Sequence, residues 1–282
     1  MRPRLIVSDL DGTLLDPGGL LSPESRQAID ELRSRGIEFI LATGRTFYES
    51  QFALEDIRHG REMIGAAGAL LTEVTTGRTV ARSVLPADLI VRVTGMILGE
   101  GHLPQLLQDR THSAHDYLLV GDAEVHPTMD WWLTRHGLRS DRISTIDDVD
   151  LSHTVRVGVV GGPNELDRLT ERIAEAFGDE LVVRHWEAVS EAPDQSTYLL
   201  ELFDRGVDKW TMIEQVMRRD GLRVEEVAVI GDGLNDIQML REAGVGIAMG
   251  QANAEVKAAA DRVVSSNRDE GFAEAIRGLV RS

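Results

Sequence analysis

The chain has 282 residues, 42% of them apolar, and no cysteine, which favours a globular protein with a filled core and excludes disulfides and thiolate metal sites. Its 47 acidic side chains outnumber 30 basic ones, and the formal net charge of −17 disfavours nucleic acid and anionic membrane as partners. The sequence contains neither a signal-peptide core nor an apolar run of membrane-spanning length. We therefore expect a soluble, cytoplasmic protein, and the length favours two domains.

The first predicted strand ends in two carboxylates. An apolar run over residues 5–7 is followed by Asp9, Asp11 and Gly12. Side chains alternate along a strand, so the two acids are expected to share a side, and Gly12 permits a sharp turn. Such a pair suits a nucleophile, Asp9, beside a proton donor, Asp11. Taken alone, the two residues are better explained as helix-capping or turn-forming acids in a surface loop.

A helix and a second strand follow. The helix is capped by Ser22 and stopped by Gly36, and residues 37–42 form a buried strand. Strand, helix and strand with short connections predict a parallel sheet, whose ligands gather beyond the carboxyl ends of the strands. Thr43 and Arg45 lie at such an end, where they can bind a phosphate held near Asp9. By itself, Thr43 is better explained as a helix cap.

The pattern changes in the middle of the chain. A third strand over residues 63–67 is followed by a hairpin, residues 70–84, that we expect to lead away from the sheet. Residues 86–202 then predict a second set of strands and helices. Glycines 158–162 do not match G-x-G-x-x-G and are interpreted as turn glycines. His112 and His115 lack a third metal ligand nearby and are interpreted as loop histidines.

The sheet pattern resumes at residue 207. Lys209 opens a helix, where a cation is unfavourable, and this placement suggests a phosphate site; a surface lysine is the alternative. The apolar strand over residues 227–230 is followed by Asp232 and Asp236 in a glycine-rich turn. Carboxylates at one helical turn of spacing provide the hard oxygen ligands that suit Mg²⁺.

These stretches together resemble a known family. In order along the chain, they are similar to the four motifs of the haloacid dehalogenase superfamily of phosphatases. The part of the chain between the second and third motifs looks like the α/β cap of the Cof-type branch of this superfamily, whose members are sugar-phosphate phosphatases. The stretches are Asp9-Leu10-Asp11-Gly12-Thr13, Thr43-Gly44-Arg45, Lys209 and Gly231-Asp232-Gly233-Leu234-Asn235-Asp236. The resemblance implies an α/β fold with a doubly wound, mostly parallel Rossmann-like core sheet, residues 1–84 and 203–282, and an inserted cap, residues 85–202, that selects the substrate.

The resemblance also implies roles for individual residues. Asp9 would attack phosphorus and form an aspartyl-phosphate, Asp11 would act as acid and base, and Thr43 and Lys209 would bind the transferring oxygens. Mg²⁺ would be held by the side chains of Asp9 and Asp232 and the backbone carbonyl of Asp11, with Asp236 in support. Gly44, Arg45 and Asn235 would contact a small phosphomonoester substrate.

The chain departs from the family pattern in three places, one of which is Trp210, where a Gly is common. Ala66-Ala67-Gly68 stands where relatives usually have Asn before the glycine, and Gln251 replaces an Asn that often follows Met-Gly. These changes bear on the substrate more than on the chemistry. Two alternatives are carried forward: a hexose-phosphate mutase, whose cap would supply basic residues such as Arg110, Arg135, Arg139 and Arg142, and a non-catalytic module that binds phosphate or Mg²⁺. The substrate and the oligomeric state are not predicted.

Overall fold

The chain forms two compact units. The computed structural model describes residues 3–57, 60–147, 149–187 and 197–281. One unit joins the residues up to Ala81 to those from Asp208 onward, and the other is Arg82–Val207. The second boundary lies later than the expected residue 202 because the strand Tyr198–Asp204 is paired along its length within the second unit. Within the described ranges, no helix combines the length and apolarity needed to cross a bilayer.

Strands and helices alternate along most of the chain. The strands are β1 (Leu5–Ser8), β2 (Glu38–Ala42), β3 (Glu62–Gly65), β4 (Leu70–Glu73), β5 (Thr79–Arg82), β6 (Gln105–Gln108), β7 (Tyr117–Val120), β8 (Ser140–Ile143), β9 (Thr154–Gly161), β10 (Leu181–Glu187), β11 (Tyr198–Asp204), β12 (Val227–Gly231), β13 (Val245–Ala248) and β14 (Arg262–Val263). The α-helices are α1 (Pro23–Ser34), α2 (Gln51–Ile57), α3 (Ala87–Gly99), α4 (Pro127–Arg135), α5 (Pro163–Phe177), α6 (Lys209–Asp220), α7 (Ile237–Glu242), α8 (Ala254–Ala259) and α9 (Gly271–Arg281).

The first unit is built on one eight-stranded sheet. Its order is β14-β13-β12-β1-β2-β3-β4-β5, and the six strands from β14 to β3 are parallel. The predicted doubly wound α/β class is therefore confirmed. The hairpin that was expected to leave the sheet instead extends it, so that prediction was wrong: β4 pairs antiparallel with β3 from Glu62↔Glu73 to Gly65↔Leu70. This pairing satisfies backbone groups that β3 would otherwise expose at an edge.

Helices cover both faces of this sheet. On β1, Ile6 packs into a core with α1, α2 and α9, whereas Leu5 and Val7 pack into a second core with α6, α7 and α8. A strand buried on both faces has no polar alternation, which explains why β1 reads as a continuous apolar run. Each fully buried aliphatic side chain here contributes about 1.5–3 kcal/mol of transfer free energy.

The second unit has its own sheet, in the order β10-β11-β9-β6-β7-β8. Its strand pairs are antiparallel except β7 with β8. Helices α3 and α5 pack on one face through residues such as Ile90, Val93, Leu166 and Ile173. Strand β8 was not predicted, because its sequence, Ser-Asp-Arg-Ile, is largely exposed and carries no apolar alternation.

A tight backbone contact joins the end of β3 to the start of α6. Gly68 has φ +111°, and a Cβ built on it would lie 2.1 Å from the carbonyl oxygen of Asp208. Asp208 in turn caps α6, because its carboxylate accepts a hydrogen bond from the backbone amide of Thr211 (2.8 Å). The contact therefore holds the first turn of α6, where Lys209 begins the helix.

We predict that Gly68→Ala lowers the free energy of unfolding by about 3 kcal/mol or more, because it adds a backbone clash to a left-handed conformation. Gly36→Ala is the matched control, since Gly36 has φ +67° and open space around the added Cβ. The control is expected to cost only about 1–2 kcal/mol. Urea unfolding of both variants measures the difference, and equal losses would contradict the prediction.

Candidate active site

A buried lysine links two buried aspartates in the first unit. The ammonium group of Lys209 donates hydrogen bonds to Asp9 Oδ1 and to Asp236 Oδ1, each at 2.6 Å. The Lys209 side chain has no exposed surface, and Asp236 is equally buried. The interpretation of Lys209 as a surface lysine was therefore wrong. Its first-turn position aims the side chain inward, where two carboxylates offset the cost of burying the charge.

A third aspartate completes the cluster. One carboxylate oxygen from each of Asp9, Asp232 and Asp236 lies within 4.8 Å of the others. Asp232 is the most exposed of the three. Three acids around a single ammonium leave an excess of negative charge, and this is the arrangement that a bound cation relieves.

Burial and charge shift the titration of this cluster. Burial raises the pKa of Asp9 well above its ordinary value; the charges of Asp236 and Asp232 add to the rise, and Lys209 opposes it. Burial also raises the pKa of Asp232, against the hydrogen bond from Thr13. For Lys209, burial acts to lower the pKa, but the charges of Asp236 and Asp9 outweigh it and the pKa is raised. The ammonium therefore stays charged at neutral pH.

The sheet brings these residues together. Strand β1 lies between β12 and β2 in a parallel arrangement, so the segments that follow β1 and β12 leave the same edge of the sheet. The amide of Asp9 donates to the carbonyl of Ile230, the residue before the glycine that ends β12 (2.9 Å). Asp232 follows directly. Thr13 and Asp232, which are 219 positions apart in sequence, thus meet because two parallel strands are neighbours.

Hydrogen bonds fix the carboxylates of Asp236 and Asp232. Asp236 Oδ2 accepts from the backbone amides of Asp232 (3.0 Å) and Gly233 (2.9 Å). Asp232 Oδ1 accepts from the Thr13 hydroxyl (2.7 Å), and Oδ2 accepts from the Gln251 amide (3.2 Å). No role was predicted for Thr13, although it lies in the first motif, and Gln251 was noted only as a departure from the family pattern.

Asp11 lies in a different environment from Asp9. Strand β1 ends at Ser8 and Gly12 turns the chain with φ +80°, so the strand alternation that predicted a shared side does not extend to Asp11. The Asp11 carboxylate instead accepts two hydrogen bonds from the Arg45 guanidinium, both 2.7 Å, and its side chain is 42% exposed. Arg45 also lies over the ring of Phe52 (5.4 Å).

The remaining predicted residues lie in the turns after β2 and β12. Thr43 is buried, and its hydroxyl accepts a hydrogen bond from the Arg45 amide (3.2 Å), which forms the turn that contains Gly44. The Asn235 side chain folds back over Gly233, where a Cβ would lie 2.5 Å from Asn235 Oδ1. The hydrogen bonds that hold the acidic cluster in the described part of the chain do not involve the Thr43 or Asn235 side chains, so the predicted roles of these two residues in phosphate binding stay predictions.

The donor set suits a hard divalent cation. Mg²⁺ takes oxygen ligands and needs only a few carboxylates. Asp9 and Asp232 offer carboxylate oxygens to such an ion. Asp236 is buried and accepts three hydrogen bonds, from Lys209 and two backbone amides, whereas Asp232 is more exposed and accepts one on each oxygen, so Asp236 matches a supporting position. The residues present therefore fit Mg²⁺.

The arginine candidates of the second unit, and His112, have partners within that unit. Arg110 and Arg139 approach Asp116 (3.1 and 3.7 Å), Arg142 donates to the carbonyls of Gly121 and Ala123, and Arg135 lies over the ring of Trp131. These contacts give no support to a cluster that would hold a bisphosphate. His112 binds Asp109 (2.8 Å) and stacks on His153.

Comparison with known proteins identifies the family. The model of the haloacid dehalogenase-like hydrolases matches residues 6–276, nearly the whole chain. The chain belongs to this family, as its motifs predicted.

Individual relatives match over the full length. The chain is 26% identical over 278 residues to the 5-amino-6-(5-phospho-D-ribitylamino)uracil phosphatase YcsE of Bacillus subtilis, covering 98% of this chain and 96% of that one. It is also 26% identical over 284 residues to YbjI of Escherichia coli, which is named as a phosphatase of the same compound. That match covers 100% of this chain and 97% of the other. A haloacid dehalogenase-like hydrolase from Bacteroides thetaiotaomicron shares the fold, with a TM-score of 0.80, 24% identity and coverage of 99% and 100%.

We predict that Asp9→Asn raises the free energy of unfolding of the metal-free protein at neutral pH. The reason is that the raised pKa of Asp9 makes its ionised form unfavourable in the fold. An acid whose pKa is higher in the folded than in the unfolded state lowers the free energy of unfolding when the pH is above the folded pKa. This effect disappears on acidification. The gain should therefore shrink as the pH is lowered through the raised pKa of Asp9, because the wild-type carboxyl then takes up its proton.

Urea unfolding in EDTA, at neutral pH and over a series of more acidic pH values, measures this difference. Asp30→Asn is the control, because Asp30 is an exposed residue of α1 that pairs with a surface arginine in the next turn. A loss of stability at neutral pH, or a gain that does not change with pH, would contradict the prediction.

Proposed function

We propose that this chain is a Mg²⁺-dependent phosphatase that hydrolyses a small phosphomonoester through an aspartyl-phosphate on Asp9. The single observation that carries the proposal is the buried Asp9 carboxylate, bonded to Lys209 and next to Asp232 and Asp236. A carboxylate nucleophile beside a fixed ammonium and a cation site has what phosphoryl transfer requires: position and neutralised charge. Membership of a hydrolase family and the names of two full-length relatives agree with this proposal.

The reaction takes place in two displacements. In the first, an oxygen of Asp9 forms a bond to phosphorus while the ester P–O bond breaks, and the leaving oxygen takes a proton from Asp11. In the second, Asp11 removes a proton from water as the water oxygen attacks phosphorus. The bond between phosphorus and Asp9 breaks, which releases inorganic phosphate and restores the carboxylate.

Charge neutralisation comes from several groups. Lys209 is already fixed by Asp9 and Asp236 and faces the negative charge of the transferring phosphoryl group. Mg²⁺, when bound by Asp9, Asp232 and the Asp11 carbonyl with Asp236 in support, supplies further positive charge that lets one anion approach another. Thr43, Gly44 and Asn235 are assigned to bind the phosphate oxygens.

The contact between Asp11 and Arg45 suggests how substrate binding prepares Asp11 to act as the general acid. While both Asp11 oxygens accept hydrogen bonds from Arg45, the carboxylate has no proton to donate. A phosphate dianion offers Arg45 a stronger bidentate partner, because charge-assisted pairs with phosphate match the guanidinium fork. When the Arg45 guanidinium bonds the phosphate in place of Asp11, the Asp11 carboxyl is free to carry a proton to the leaving group.

The proposed substrate class is a small phosphorylated sugar, sugar alcohol or similar metabolite. Two full-length relatives are named for a phosphate on a ribityl chain, and the Cof-type resemblance points to sugar phosphates. We assign the choice among these compounds to the inserted unit. Phosphate release over a panel of sugar phosphates, polyol phosphates and nucleotides tests the assignment.

We predict that the protein releases phosphate from members of this panel, that EDTA abolishes the release and Mg²⁺ restores it, and that Asp9→Asn lowers kcat by about 10³-fold or more. Asp30→Asn, an exposed substitution of the same kind, should retain full activity. A malachite-green assay measures the phosphate. Activity that survives Asp9→Asn would refute the proposal, and Mg²⁺-dependent binding without turnover would favour the non-catalytic alternative.

A leaving-group comparison tests the role of Asp11. Asp11→Asn is expected to lower kcat for alkyl phosphates by about 10²–10⁴-fold, because an alkoxide needs a proton in the transition state. The loss should be much smaller for p-nitrophenyl phosphate in the first step, since its phenolate leaves without one. Burst kinetics separate the two steps, and equal losses in the burst for both substrates would exclude Asp11 as the general acid.

A further inference from the structure

The Gln251 side chain connects three loops at the acidic cluster. Its amide nitrogen donates to the carbonyl of Gly12 (2.5 Å) and to Asp232 Oδ2 (3.2 Å), and its oxygen accepts from the backbone amide of Asn267 (3.0 Å). Gly12, Asp232 and Asn267 follow β1, β12 and β14, respectively. One exposed side chain thus ties the nucleophile loop to two others.

Asp232 depends on this side chain more than its neighbours do. Asp9 and Asp236 are held by Lys209, whereas the two oxygens of Asp232 accept from Thr13 and Gln251. Asp232 also lies close to the turn of the nucleophile loop: a Cβ on Gly12 would be 2.3 Å from Asp232 Oδ2. Gln251 bonds both sides of this close approach and so fixes the distance between them.

The length of the side chain is matched to this task. The backbone before Gln251 is closely packed: the amide of Gly250 donates to Ser265 (3.1 Å), and a Cβ on Gly250 would lie 2.8 Å from the carbonyl of Val264. With the backbone held there, an asparagine amide would end about 1.5 Å short, the length of one carbon–carbon bond. Asparagine is the residue that the family pattern led us to expect here, so the longer side chain is a property of this chain.

We infer that Gln251 is a positioning residue that orients Asp232 and the Gly12 turn toward the bound metal ion. The inference rests on the proposed function in one respect, namely that the cluster binds Mg²⁺. Outer hydrogen bonds of this kind hold a ligand oxygen in the direction that the metal requires, and their loss commonly costs 10–100-fold in metal affinity. Gln251 itself contacts no reacting atom in this role.

Two substitutions test the inference. Gln251→Met keeps the length and removes both the donor and the acceptor, and Gln251→Asn keeps the chemistry and shortens the reach. We expect each to raise the Kd for Mg²⁺ about 10-fold, measured by calorimetric titration of the full-length metal-free protein. With Mg²⁺ raised to saturation, kcat should recover to within about threefold of wild type, since the residue acts through the metal ligand.

Gln238→Asn is the matched control. Gln238 is an exposed glutamine on α7 that bonds Glu242 (3.1 Å), and its substitution should leave the Kd unchanged. Melting in EDTA checks that the variants fold; should Gln251→Met not fold, Gln251→Asn decides the question. A Kd for Mg²⁺ equal to wild type in a folded variant overturns the role of Gln251. Absence of Mg²⁺ binding by the wild-type protein instead overturns the metal site and with it the proposed function.

Discussion

The site depends on a buried ion pair with two partners. Lys209 has no exposed surface and donates to Asp9 and Asp236, so its single positive charge offsets the cost of burying two carboxylates close together. Removing Lys209 would leave two buried carboxylates without a counter-charge, whereas removing either aspartate leaves one matched ion pair. Because the ammonium satisfies two acids and not three, Asp232 remains available, and the cluster keeps a net negative charge for a cation.

The sheet topology makes this pair possible across the whole chain. Asp9 leaves β1, Asp236 follows its parallel neighbour β12, and Lys209 begins α6 directly after the second unit ends at Val207. The insertion of a complete second unit does not disturb the site, because the chain re-enters through Asp208. Asp208 caps α6 and lies against Gly68, so the position of Lys209 is fixed from within the first unit.

The sequence predicted most of the fold because its strongest patterns are local. The apolar runs of β1, β2 and β12, the cap at Ser22 and the acids after each strand all follow from burial and turn chemistry. The edge strands were harder to predict. Strand β8 is exposed and lacks an apolar pattern. The hairpin of β4 and β5 joins the sheet through backbone hydrogen bonds, which the pattern of side chains does not predict. Contacts between distant segments, such as Thr13 and Gln251 with Asp232, leave no local signal either.

At Ala66 and Ala67, where the family pattern has an asparagine, backbone hydrogen bonds support the loop near the site without a polar side chain. Both alanines adopt left-handed conformations, with φ of 46° and 56°, at a cost of roughly 1–2 kcal/mol each. Asparagine tolerates this region better than alanine does. The conformation persists because the amide of Ala66 donates to the carbonyl of Arg45 and that of Ala67 to the carbonyl of Thr43, both at 2.9 Å. The strained turn therefore holds the Thr43–Arg45 loop through its backbone, and the support survives the loss of the asparagine side chain.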